Sequence, residues 1–155
     1  MSVRGEGHGR LAPLSRRDRA SPAPTAVLNP WSPRVLSLVR IAAALLFFEH
    51  GTMILFRFPG AMPGLPSPAP ALILAAAALE IAGGALMALG LYTRPIAFIL
   101  SGEMVVGYFI AHFPKSPWPV INQGDAAILY SLLFFYLVFS GGGAWSLDAV
   151  LRRKP

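Results

Sequence analysis

VLSLVRIAAALLFFEHGTMILF (residues 35–56) is apolar for almost its whole length, yet it carries Arg40 and the adjacent pair Glu49 and His50. As a strand or a soluble core helix this segment would be awkward, because three ionisable side chains would need partners inside a greasy run. As a helix crossing a bilayer it has the right length, and its polar residues become the first functional clue.

The rest of the chain agrees with that solvent. Of 155 residues, 55% are hydrophobic and only 13% charged, and the mean hydropathy is +0.58, outside the usual globular mix. Four apolar runs carry this composition, at 35–56, 71–91, 96–113 and 123–140. Each has about 18 to 22 residues and would span about 27 to 33 Å as helix, against a hydrocarbon core of about 30 Å. The expected fold is all-α: an integral membrane four-helix bundle. None of the runs alternates in polarity, which excludes a membrane β-barrel. A cleaved secretory signal is not expected, since the first run lies behind a long tail and holds Arg40, Glu49 and His50. With no cysteine, the polypeptide carries no disulfide relay, thiolate nucleophile or cysteine-ligated metal.

The net charge of +6 is topological and makes no case for nucleic acid. Arg4, Arg10, Arg16, Arg17, Arg19, Arg34, Arg94, Arg152, Arg153 and Lys154 fall on one side of the runs, whereas Arg57 and Lys115 fall on the other. The positive-inside rule then places both termini in the cytoplasm. Trp31, Tyr92 and Trp145 would lie at the inner interface and Trp118 at the outer one. Residues 1–34 read as a disordered basic cytoplasmic tail, and 152–155 as a short basic tail. The outer connections at 57–70 and 114–124 are proline-rich and should be stiff. The inner connection, YTRP, is so short that the second and third helices must be antiparallel neighbours. After three glycines, Ser146 can cap a short C-terminal interfacial helix with Asp148 in its first turn.

An ionisable side chain at bilayer depth costs about 2.5 to 3.5 kcal/mol or more, so each needs a partner or a job. Counted from the inner ends of the runs at about 1.5 Å per residue, Arg40 and Glu103 lie at similar depth. They are the expected ion pair, with Glu80 joining them as a buried polar network. Glu49 and His50 fall in the outer half and form the candidate quinone or proton site, His50 being within reach of His112, Asn122 or Gln123. His112, Asn122 and Asp125 are secondary candidates, with Asn122 available to cap the fourth helix. The network of Arg40, Glu80 and Glu103 reads equally well as structural glue fixing helix register. Small residues at Ala76, Gly84 and Ala88 beside Glu80, and at Gly107 and Ala111 beside Glu103, would let the helices approach closely. His50 and His112 lie at different depths, which argues against haem, and no metal site is expected.

Taken in order, these motifs resemble the DoxX family of small four-helix membrane proteins: Arg40, then EHG (49–51), EIAGGALMALGLYTR (80–94), GEM (102–104), AHFP (111–114), NQGDAAILY (122–130) and GGGAWSLDAVL (141–151). The likeness runs from about residue 34 to 151. The chain departs from it after His50–Gly51, where Met53 and Ile54 stand in place of a lysine, and at NQGD, where the family commonly has NGGE. The resemblance implies the bacterial cytoplasmic membrane and a link to respiratory or sulfur redox chemistry, with the chain as a membrane subunit that helps pass electrons or protons to quinone. Redox partner proteins and a homo-oligomer fit that reading. Two alternatives stand beside it, a non-catalytic membrane anchor or assembly partner for other proteins, and a pathway for protons or small solutes.

Overall fold

A computed structural model describes residues 29–152. Residues 1–28 and 153–155, which hold most of the two expected tails, lie outside it. The end of the supposed disordered tail is helical: a 3₁₀ turn, Asn29–Trp31, leads into α1, Ser32–Phe56. The earlier start reflects Pro33, whose fixed φ suits the first helical turn, where no N–H partner is needed. The helix ends where Arg57 adopts a left-handed conformation two residues before Pro59.

The next helix, α2, spans Ala71–Leu89 and begins directly after Pro70. Gly90, at φ 67°, ends it. The N–H of Leu91 donates to Leu86 O and that of Gly90 to Met87 O, the pairing by which a glycine C-terminus satisfies trailing carbonyls. The expected run to residue 91 is therefore cut short by two residues. α3, Thr93–Gly107, starts earlier than the expected 96 because both N–H groups at the turn find an acceptor far along the chain: Asp148 takes Tyr92 N–H at 2.9 Å and Thr93 N–H at 2.8 Å. Past Gly107 the helix widens into a π-helical segment, Tyr108–His112, with Phe113 N–H reaching Tyr108 O.

The expected fourth helix is broken near its start. A single turn, α4, Pro119–Asn122, is followed by Gln123 at φ 59° and Gly124, and the main helix α5 spans Asp125–Ser140. Asn122 does not cap it: its Oδ1 accepts from Gly124 N–H at 2.7 Å and its Nδ2 donates to Ser116 O at 2.7 Å, so the side chain stitches the corner. Ser146 does cap the short α6, Leu147–Leu151, accepting from Ala149 N–H at 3.2 Å.

Among the described residues the fold is all-helical. Three segments, Ser32–Phe56, Ala71–Leu89 and Thr93–His112, are long and apolar enough to cross a membrane, and Asp125–Ser140 is a shorter apolar helix of 16 residues. Leu45, Leu46, Phe98, Val106, Leu129 and Phe139 point outward, as side chains bathed in lipid do. The core joins Ala44 and Phe47 of α1, Met87 of α2, Ala97 and Leu100 of α3, and Phe134 and Leu137 of α5. Phe47 meets Phe134 edge to face, their centroids 5.0 Å apart. α1 and α2 run antiparallel, since Gly51 lies against Ala77 and Glu80 while Gly84 lies against Ala44 and Phe48. The small residues expected on α3 do not act this way. A Cβ on Gly107 would meet nothing, and Ala111 is exposed, because α3 packs through Ala97, Leu100 and Ser101.

Candidate functional site

Arg40 is fully buried, and its partners are backbone carbonyls. Nε donates to Gly142 O at 2.9 Å, Nη1 to Met87 O and to Ala88 O at 2.9 Å, and Nη2 to Trp145 O at 2.8 Å. Met87 and Ala88 end α2, where a helix leaves carbonyls without intrahelical donors and where its dipole favours a cation. The expected Arg40–Glu103 ion pair, with Glu80 attached, is therefore absent: the guanidinium serves a helix end and the glycine loop.

The glutamates sit deeper. Gly83 of α2 rests against Leu100 of α3, so in these antiparallel neighbours Glu80 and Glu103, each three residues further in, share a level. Arg40 marks the end of α2, and ten residues on, about 15 Å further along α1, His50 comes level with Glu80. Nδ1 of His50 lies 3.0 Å from both Glu80 carboxylate oxygens. It is the one ion pair among the described residues. The expected approach of His50 to His112, Asn122 or Gln123 is replaced by this contact.

The environments of the pair differ sharply. Glu80 is 3% exposed, whereas the His50 side chain is 49% exposed on the outer surface. Nδ1 is the nitrogen turned to Glu80, which leaves Nε2 as the ring nitrogen without a partner in the structure. Both Glu103 oxygens are buried without a hydrogen-bond partner. Two carboxyl groups and an imidazole thus share one level of the bundle. This arrangement can hold, accept and release a proton at His50 Nε2.

With that geometry in place, comparison with known proteins fixes the lineage. The sequence profile of DoxX matches residues 35–113. An uncharacterized protein of Haemophilus influenzae is 43% identical over 131 residues, covering 82% of this chain and 98% of its own length. The chain belongs to the DoxX family. No solved structure matches it.

In this DoxX chain the matched segment holds Arg40, Glu49, His50, Glu80, Glu103 and His112, while Asn122 and Asp125 lie beyond it. His112 donates from Nδ1 to Asn122 O at 3.0 Å and stacks on Tyr108, so these residues build the corner before α5 and lie away from the His50 level. Glu49 and Asp125 are exposed. Among the described residues no three metal-ligating side chains converge.

Sequence reasoning missed two participants. Asp148 caps the α2–α3 turn from the far end of the DoxX chain. Ser37, fully buried, accepts from Trp145 N–H at 3.0 Å and donates to Pro33 O at 2.9 Å. The signal for Asp148 was its place just after the glycine run; nothing marked Ser37 except its position one turn before Arg40.

Proposed function

We propose that this DoxX protein is a membrane subunit of a redox system, with α5 as a fourth span and both termini on the cytoplasmic side of a bacterial inner membrane, and that His50, Glu80 and Glu103 form its proton-handling site for quinone. The observation that carries the reading is the half-exposed imidazole of His50, tethered through Nδ1 to a buried carboxylate and level with a second, unpartnered one. An unpartnered Nε2 in the bilayer is open to a ligand dissolved in lipid and closed to most soluble ones. A quinone carbonyl would accept a hydrogen bond from a protonated Nε2. As a partner protein supplies two electrons, one oxygen takes the His50 proton, Glu80 steadies the imidazole in both states, and Glu103 hands on the second proton. The chain has no cysteine and so no thiol couple of its own; the proposal assigns the electrons to that partner.

The test is quinone content and quinone-linked activity of the purified protein, alone and with whatever co-purifies. His50→Ala and Glu80→Gln, if they insert and fold, should lose bound quinone and lower activity by about 10²-fold or more, the scale of a positioned proton-transfer group. Unchanged activity in both variants would sink the reading. A quinone-free wild-type protein arriving with a stoichiometric soluble partner would favour the second reading, a non-catalytic anchor, to which the lack of cysteine also points.

A further inference from the structure

At the end of the helices where α2 turns into α3, a cavity of about 190 Å³ is lined by Arg94, Arg152, Asp148, Ser140 and the glycine loop at 141–143. It lies beyond Arg40, away from the His50 level, and does not depend on the quinone reading. Two arginines meet one carboxylate here, and that carboxylate is already engaged: its oxygens accept from Tyr92 N–H and Thr93 N–H. Nor is Ser140 a competing partner, since its hydroxyl donates to Tyr136 O at 3.0 Å. Arg94 has no ion pair among the described residues. Its guanidinium lies along Gly141, with Nε 3.7 Å and Nη2 3.9 Å from the place a Cβ would occupy. That is ordinary van der Waals contact, and the in-plane N–H edge of such a guanidinium fork matches a phosphate oxygen pair.

The surroundings say which phosphate. Tyr92, Trp145, Leu147, Val150 and Leu151 are large apolar or amphipathic side chains exposed at this same end. Aromatic rings and arginines together are the composition of a membrane interface, and an apolar rim offers nothing to a free anion. We propose that this cavity binds the phosphate of an anionic phospholipid headgroup, held by Arg94 and Arg152 over the Gly141–Gly143 loop, with the acyl chains leaving across the exposed apolar side chains.

Native mass spectrometry of the full chain in mild detergent, supplied with phosphatidylglycerol or phosphatidylcholine, tests this. Phosphatidylglycerol should be retained and phosphatidylcholine lost. Arg94→Gln should weaken retention about fivefold and the double change with Arg152→Gln about twenty-five-fold, at the usual contribution of one arginine to an anionic surface. Arg57→Gln, at the other end of α1, should change nothing. Equal retention by the double variant, or of both lipids, overturns the site. Displacement by millimolar inorganic phosphate would reassign it to a soluble phosphate and overturn the lipid. Should the variants not fold, phenylglyoxal labelling of the wild type decides: phosphatidylglycerol must slow modification of Arg94 relative to Arg57, and equal rates refute the proposal.

Discussion

Arg40 and Glu103 are both ionisable groups within the apolar bundle, and their surroundings set opposite costs for removing them. Arg40 donates to carbonyls at four residues, Gly142, Met87, Ala88 and Trp145, and its removal takes a charged donor from each. A hydrogen bond to a charged group contributes about 1.5 to 3 kcal/mol, so Arg40→Met should cost well over about 3 kcal/mol and lower the detergent-solubilised melting temperature by at least about 6 °C. Arg40→Lys should fall between, since a point charge cannot reach so spread a set of acceptors. Glu103 has no partner to lose. Glu103→Gln should leave melting unchanged or raise it, and a drop as large as that of Arg40→Met would mean that a partner for the carboxylate had gone unseen. The sequence marked Arg40 and Glu80 as polar groups of the bundle interior, but not their partners. Counting depth from the ends of the apolar runs assumes that all helix ends are level. In fact α1 begins before the end of α2 is reached and α3 begins at Thr93, which moves Arg40 to a helix end and brings His50 level with Glu80. Backbone carbonyls, the true partners of Arg40, occur at every residue and leave no mark in a sequence.

At the level of elements, glycines divide into those that permit contact and those that do not. A Cβ at Gly51 would stand 2.7 Å from Ala77 O, a backbone atom that moves only with its helix, whereas one at Gly107 would meet nothing. Gly51→Ala should therefore destabilise by about 1 to 3 kcal/mol through overpacking. Gly107→Ala should be neutral or stabilise by up to about 1 kcal/mol, the ordinary gain on replacing a helical glycine. Thermal melts of the two variants side by side check this, and a reversed order would mean that α1 and α2 do not meet as described. Helix positions were legible because Pro59, Pro70 and Gly90 punctuate strongly. The break at Gln123–Gly124 was not, since it depends on the Tyr108 ring and the Asn122 side chain closing over Gly124. The early start of α3 was hidden for the same kind of reason, because Asp148 supplies its cap from more than fifty residues away.

Over the whole molecule, the segment after α5 acts as a clasp. Ala144 N–H donates to Pro33 O, Asp148 N–H to Gly90 O, and Trp145 O takes Arg40, so one short stretch ties α1 to the α2–α3 turn. The fit is tight enough that a Cβ on Gly90 would stand 2.5 Å from Ser146 Cβ. Asp148 gives this clasp a pH dependence. Burial alone would raise its carboxyl, but hydrogen bonds from the Thr93 and Tyr92 N–H groups and the charge of Arg152 outweigh it and hold the group below the ordinary carboxylate value. A carboxyl depressed in the folded state binds its proton less readily there than in the unfolded chain. Its stabilisation is complete above the unfolded value, near pH 4 for aspartate, and is lost as pH falls through the lower folded value. Asp148→Asn should thus melt below the wild type at neutral pH, and the gap between them should close as the solution is acidified below about pH 4. Limited proteolysis reads the same event locally: cleavage within 141–152 should be faster in Asp148→Asn at pH 7, and the two proteins should converge in acid. A melting gap that stayed constant down to pH 3 would show that the Asp148 charge does not fasten the clasp, and that packing of the glycine loop holds it without electrostatic help.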